Sequence, residues 1–503
     1  MRLDEYAKLV LDAATVKSRR NIYYLMPFAE RLSFVAQQLR AFNLVWALDR
    51  LGRVSSTSHV AVVGAGLSGV TTACALTALQ CRVTVFEETE KPMFRQRNTS
   101  HRMAHPEINY WPEQAPLTHA TELPMLEWYF DECVRVVEFI NTQREEVREN
   151  SGGRLDFLYE HPVEDVVPSA GIDGLVSVKC SPTFVETFHL AIVAVGFEND
   201  RTHEKITPVP YWEDDKLEPD IESGKFTTFV ISGGGDGGMI DSLRCAYNFK
   251  KGVLAAEVAD EIGRARFTDT ILEAERRHED RIHDAYLTIA EKIAQGGPLE
   301  RVKKMLDGHL RRKPGLVILL DKYLKHPSQS AAAPIHKVML YYAWHHSVVR
   351  FRQGELKRPH AGVDIFECEG SSFPEKSRFV IRHGANPRVG QFLLRDEQDE
   401  FKRKQRSLSP YNFSALPPPE YKVAAPYPKY DPTAHAFISH RKSYAERALR
   451  SINPDANVAL TNAEFGYLAA VSGNLRFAPA SLFGIGVQYE AYDNLYDYGR
   501  SHV

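Results

Sequence analysis

The stretch HVAVVGAGLSGVTTACALTALQCRVTVFEE, residues 59–88, constrains the fold more than any other part of this 503-residue chain. An apolar run, Val60–Val63, leads directly into Gly64-Ala65-Gly66-Leu67-Ser68-Gly69, which fits GxGxxG. A segment rich in Ala, Thr and Leu follows, then a second apolar run, Arg82–Phe86, ending in Glu87-Glu88. This order reads as strand, turn, helix, strand, acid. The first glycine permits the tight turn, the second lets the backbone approach a pyrophosphate, and the third lets helix pack on strand. The helix N-terminus then offers free N–H groups and a positive dipole end to phosphate. Glu87 lies where an acid takes ribose hydroxyls, and that acid disfavours a 2′-phosphate at this site. The expectation is dinucleotide binding, with FAD and NAD both open on these residues alone.

Such a length predicts two or three domains. The pattern implies an α/β fold: a Rossmann-like dinucleotide-binding domain, a second glycine-turn α/β segment, a helix-rich insertion and a mixed C-terminal region. Residues 1–57 read as an N-terminal helical segment, because Leu32, Val35, Leu39, Phe42 and Trp46 recur at steps of three and four. That segment is read as packing surface, with a subunit contact of a homo-oligomer as an alternative. The remaining boundaries fall at 58–225 for the first nucleotide domain, 226–250 for the second glycine unit, 251–360 for a helical cap or substrate region, and 361–503 for the C-terminal region.

A net charge of −3 gives no general attraction to nucleic acid or to an anionic membrane surface. The longest apolar runs, such as LAIVAVGF, are too short to span a bilayer, and no signal peptide is visible at the start, so the cytoplasm is expected. The six cysteines include no CxxC pair, which excludes the usual zinc spacing and a dithiol redox pair. His278 and His283 are five apart and face different directions on a helix, so they are not read as a metal site. His345-His346 beside Trp344 is read as a buried or rim cluster. No metal is expected.

Residues 59–88 resemble the first βαβ unit of FAD-dependent oxidoreductases of the two-dinucleotide-binding-domain group, which includes pyridine nucleotide–disulfide reductases and flavin monooxygenases, with amine and amino-acid oxidases as relatives. Two later segments agree with that resemblance. PVEDVV, residues 162–167, stands where the group places a strand whose backbone meets adenine, near Val163. HLAIVAVGFEND, residues 189–200, resembles the group's strand and A-T-G turn, with Ala194-Val195-Gly196 lacking the central Thr. The resemblance covers about residues 59–250. It implies an FAD site formed by Gly64, Ala65, Gly66, Ser68, Gly69, Glu87, Glu88, Val163, Ala194 and Gly196.

FVISGGGDGGMIDSLR supplies a second turn, with Gly233, Gly235 and Gly238 again in GxGxxG spacing. The resemblance implies an NAD(P)H site here. The residues that follow, FKKGVLAAEVADEIGRARF, show no clean second strand ending in an acid or an arginine pair, so a glycine turn bordering flavin or substrate stays open. Lys250 and Lys251 are candidates to meet a 2′-phosphate. Asp236 would repel phosphate unless it caps the helix.

The segment Arg95–Gln114 concentrates His, Arg, Pro and aromatic residues. In the group, the segment after the ribose acid runs beneath pyrophosphate and isoalloxazine. Arg95 and Arg102 are therefore candidates to neutralise phosphate or flavin charge, and Tyr110 and Trp111 to stack on a ring. His101 and His105 are candidate proton donors or acceptors, with Arg102 beside them as a catalytic candidate. Arg382-His383-Gly384 matches a short histidine-phosphatase motif too late in the chain to carry that reading. Phe465 and Phe483 begin two segments considered for a C-terminal flavin-contacting turn.

The expected function is an FAD-dependent oxidoreductase passing electrons between NAD(P)H and a small-molecule substrate or oxygen. The alternatives are an amine- or amino-acid-type oxidase without NAD(P)H, and a non-catalytic nucleotide-sensing or partner-binding flavoprotein.

Overall fold

The computed structural model describes residues 3–408 except 26–32, 114–116, 118, 122, 124, 170–173, 182–183, 201–207, 250–251, 278–279, 312–315, 358–366 and 369–370. Gln114, Lys250, Lys251, His278 and the segments starting at Phe465 and Phe483 therefore lie outside the described residues.

The first unit is built on a five-stranded sheet in the order Ile22–Tyr24, Leu190–Val193, His59–Val63, Arg82–Phe86, Leu155–Leu158, and every pairing is parallel. Val60, Ala61, Val62 and Val63 are all buried, as a central strand covered on both faces requires. Leu67–Ala78 and Cys133–Asn150 are the crossover helices. A three-stranded antiparallel sheet, Asp165–Pro168, Val176–Ser181 and Phe184–Phe188, precedes the last strand. The N-terminal segment is not purely helical. Phe34–Arg50 is a helix packed against the first crossover helix, but Ile22–Tyr24 pairs with Leu190–Val193 at the sheet edge. Three residues are too few to display a strand period, which is why the helical spacing dominated the sequence pattern.

The second unit is a four-stranded parallel sheet in the order Val349–Gln353, Leu316–Asp321, Thr228–Ser232, Ser377–Ile381. It does not end near residue 250. Its first helix, Asp236–Ala246, is separated from its second strand by four inserted helices, Val253–Arg264, Thr268–Glu275, Asp280–Gln295 and Glu300–His309. The apolar run LVILLD then forms the second strand and ends in Asp321. The expected boundaries at 250 and 360 thus cut through one continuous sheet. The insertion buries its own apolar face, including Leu254, Val258, Ile262, Ile289 and Ile293, in the core of the second unit. Among the described residues, no helix is long and apolar enough to cross a membrane.

Candidate nucleotide-binding cavity

The two glycine turns have the same local geometry. Gly64 has φ of +97° and Gly233 of +123°, values that only glycine adopts readily. Gly64 N–H donates to the Phe86 carbonyl at 2.7 Å, and Gly233 N–H to the Leu320 carbonyl at 2.8 Å. A Cβ at Gly69 would lie 1.9 Å from the Gly64 carbonyl oxygen, and one at Gly238 would lie 1.8 Å from that of Gly233. The last strands close on both turns in the same way. Ala194 N–H donates to the Val63 carbonyl at 2.8 Å and Arg382 N–H to the Ser232 carbonyl at 2.7 Å. Arg382-His383-Gly384 is therefore the counterpart of Ala194-Val195-Gly196, and His383 Nε2 shares a 2.7 Å hydrogen bond with Ser232 Oγ.

Each turn is also braced by the acid that ends its second strand. Glu87 Oε2 accepts from Ala65 N–H at 2.6 Å, and Asp321 Oδ2 accepts from Gly234 N–H at 2.7 Å. Glu87 further accepts from the Thr89 backbone and hydroxyl, at 2.9 and 2.7 Å. Asp321 accepts from the backbone of Tyr323 and Leu324, at 2.7 and 2.9 Å. Asp321 is the acid missing from the sequence pattern, displaced some 70 residues by the inserted helices.

Both turns open on one cavity of about 1270 Å³. At Gly66 and at Gly235 a Cβ would meet nothing within 4 Å, and neither helix has a side chain capping its N-terminus. Two uncapped helix ends facing free space, each with its middle glycine bare, fit a pyrophosphate at each turn. Ser68 lines the cavity and donates to Gln37 Oε1 at 2.8 Å. Val163, Ala194 and Gly196 line it too. Glu88 also lines it, in an ion pair with Arg388 that draws its carboxyl below the usual range. Asp236 does not cap its helix. It pairs sideways with His336, at 2.8 Å to Nδ1.

The polar segment after the first acid divides. Arg95, His101, Arg102 and His105 line the cavity, whereas Tyr110 and Trp111 are not among its lining residues. Trp111 is buried in the core of the second unit, so the expected ring stacking is replaced by apolar packing. Arg95 donates to the Phe197 carbonyl at 2.7 Å. Arg102 is buried, donates to the Tyr211 carbonyl at 2.8 Å and to Asp241 at 3.1 Å, and lies 3.5 Å over the Tyr211 ring. Asp241 is also met by Arg244 at 2.9 Å and by Arg382 at 2.7 Å. Burial alone would raise the Asp241 carboxyl, but these three guanidinium groups hold it far below the usual carboxylate range.

His101 Nδ1 lies 2.7 Å from Asp214. Burial, followed by Arg102 and Arg244, lowers its pKa against the pull of Asp214 and Asp215. His105 Nδ1 accepts from the backbone of Glu107 and Ile108, at 3.0 and 3.1 Å, so its proton sits on Nε2, 3.1 Å from His119. Burial, with His119 next, keeps His105 neutral far below its ordinary range. The helix Phe34–Arg50 and its cap bring Ser33, Phe34 and Gln37 to the same cavity, a contribution that no motif signals. All six cysteines are free and buried.

Residues 59–109, about a tenth of the chain, match the family model described as pyridine nucleotide-disulphide oxidoreductase. No curated protein matches the chain. Among solved structures, it is similar to the bacillithiol disulfide reductase Bdr (YpdA) from Staphylococcus aureus, at 10% identity and a TM-score of 0.36, over 67% of this chain and 80% of that one. OTEMO in complex with FAD and NADP matches at 13% identity and a TM-score of 0.35, over 67% and 73%. Thioredoxin reductase of T. acidophilum matches at 10% identity and a TM-score of 0.31, over 67% and 80%. Likeness this remote assigns no activity to this chain.

Proposed function

We propose that the chain is an FAD-dependent oxidoreductase reduced by NAD(P)H, with FAD at the Gly64–Gly69 turn and the pyridine nucleotide at the Gly233–Gly238 turn. One observation carries the reading: two complete strand–turn–helix–strand–acid units open on a single cavity. When bound, the two cofactors supply hydride transfer from nicotinamide to flavin and onward electron delivery. The chain's own part is to hold and orient them. Leu67–Ala78 and Asp236–Ala246 would present their first N–H groups to the two pyrophosphates, Glu87 is the candidate partner of the flavin-side ribose, and Val163 would border the adenine. Arg95 and Arg102 supply positive charge beside the first site, and His101, held by Asp214, is the candidate proton carrier at the cavity wall.

Electrons do not leave through a protein dithiol on this reading. No CxxC exists, and burial lifts Cys74 and Cys133 to about 12 and Cys81 and Cys180 to about 11, so none of these four is a reactive thiolate at neutral pH. The acceptor is instead a small molecule or oxygen admitted to the cavity. Six unpaired cysteines fit a reducing compartment such as the cytoplasm. The test is the visible spectrum of the purified protein, reconstituted with FAD and titrated anaerobically with NADH or NADPH. Flavin bands that bleach support the reading. Bands that persist with both nucleotides overturn the second half of it and favour a substrate oxidase or a sensor, and no bound flavin overturns the first half.

A further inference from the structure

Resting on that reading, the geometry points to NADH, not NADPH, as the reductant, with Asp321 holding the adenosine ribose, Glu355 guarding the same corner and Tyr323 stacking on the adenine. Asp321 ends the second strand beside the turn, and its carboxylate stands to Gly234 as Glu87 stands to Ala65. An acid at this place accepts a hydrogen bond from the 2′-hydroxyl of an unmodified ribose and repels a 2′-phosphate. The charge around it reinforces the choice. Lys322 is the cation adjoining Asp321 in sequence, and it is paired with Glu355 at 3.2 Å. Asp321, Lys322 and Glu355 all line the cavity, so the charges of these three described residues are two carboxylates against one ammonium.

Tyr323 supplies the second observation. It is 81% exposed, the most exposed of the large hydrophobic side chains described, and it lines the cavity two residues beyond the acid. An aromatic ring left in water at the mouth of a nucleotide site is a stacking platform for a base. Its backbone is fixed, because Tyr323 N–H donates to Asp321 Oδ1 at 2.7 Å. Ribose recognition and base stacking are thereby built on one rigid turn.

The experiment measures anaerobic flavin reduction by each nucleotide in the FAD-loaded protein. NADH is expected to exceed NADPH in kcat/KM by on the order of 100-fold, since juxtaposed like charges cost several kcal/mol. Tyr323→Ala should raise KM for NADH by roughly tenfold with kcat little changed. Glu355→Gln, which removes the carboxylate paired with Lys322, should narrow the preference by improving NADPH. Asp321→Asn should narrow it further, and because Asp321 also braces the turn, flavin content and circular dichroism are recorded alongside. A preference for NADPH, or Tyr323→Ala and Glu355→Gln variants indistinguishable from wild type, would overturn this inference while leaving the proposed function standing. Failure of both nucleotides to reduce the flavin would instead remove the reading on which it rests.

Discussion

Four glycine-to-alanine variants separate binding from folding at the two turns. Gly69 and Gly238 are packing glycines. An added Cβ would fall 1.9 and 1.8 Å from a backbone oxygen, against a practical minimum near 3.0 Å, so helix and turn must part by more than 1 Å. Overpacking of this kind costs about 1–3 kcal/mol. At roughly 2–4 °C per kcal/mol for a unit of this size, the melting midpoint of the flavin-free protein should fall clearly. Gly66 and Gly235 are different. Their φ values, −67° and −72°, suit any residue, and a Cβ there touches nothing within 4 Å. Alanine should therefore leave the flavin-free melting midpoint unchanged while standing where a phosphate must approach. Losing one charge-assisted hydrogen bond to phosphate is worth about 1.5–3 kcal/mol, or a ~10- to 150-fold loss of affinity. Gly66→Ala should lower flavin retention, read as visible against ultraviolet absorbance. Gly235→Ala should keep the flavin and weaken NAD(P)H. The reasoning is refuted if Gly66→Ala melts as early as Gly69→Ala, or if Gly235→Ala strips the flavin.

Two further outcomes follow from the charges. Asp241→Asn should destabilise the protein by about 3–5 kcal/mol in denaturant unfolding, because Arg102, Arg244 and Arg382 then share a buried site without their common carboxylate; a variant as stable as wild type would show that the cluster is solvated. Glu397, on the helix Arg395–Leu408, is bonded by Ser18 and Arg19, which offset its burial and draw it from 4.5 to about 2. A depressed carboxyl contributes stability above its unfolded pKa and loses it as pH falls, so this anchor should fade between about pH 4.5 and 2. Glu397→Gln should flatten that part of the stability profile, and an unaltered profile would reject the assignment.

The first unit was legible because its parts are contiguous: strand, turn, helix, strand and acid occupy residues 59–88 without interruption. The second has the same parts, yet its acid was invisible, because four helices intervene between Ala246 and Leu316. Local pattern cannot reveal that LVILLD pairs with TFVIS across such a distance. The same gap hid the meaning of Arg382-His383-Gly384, which is a strand-end turn and not a phosphatase motif. Trp111 misled for the opposite reason. Its neighbours His101, Arg102 and His105 do reach the cavity, but a loop turns residue by residue, and composition does not say which way each side chain faces.

The cluster around Asp241 was the least legible feature, because it joins Arg102 of the first unit, Asp215 of the linking segment, and Arg244 and Arg382 of the second. Its position gives it a physical role. Both turns line one cavity, so the two units that carry them must hold an angle. Directional ion pairs can fix one. Arg102 reaches Asp241 on the helix that follows the second turn, while Arg382 grips Asp241 with its side chain and closes on Gly233 with its backbone. Arg382 also donates to the Val209 carbonyl at 2.7 Å, and Arg102 to that of Tyr211, so the linking segment is clamped from both units. Buried ion pairs are weak as a source of net stability but well suited to setting register. On the proposed function, that register is the alignment of the two glycine turns across one cavity, the property that hydride transfer between cofactors bound there would demand.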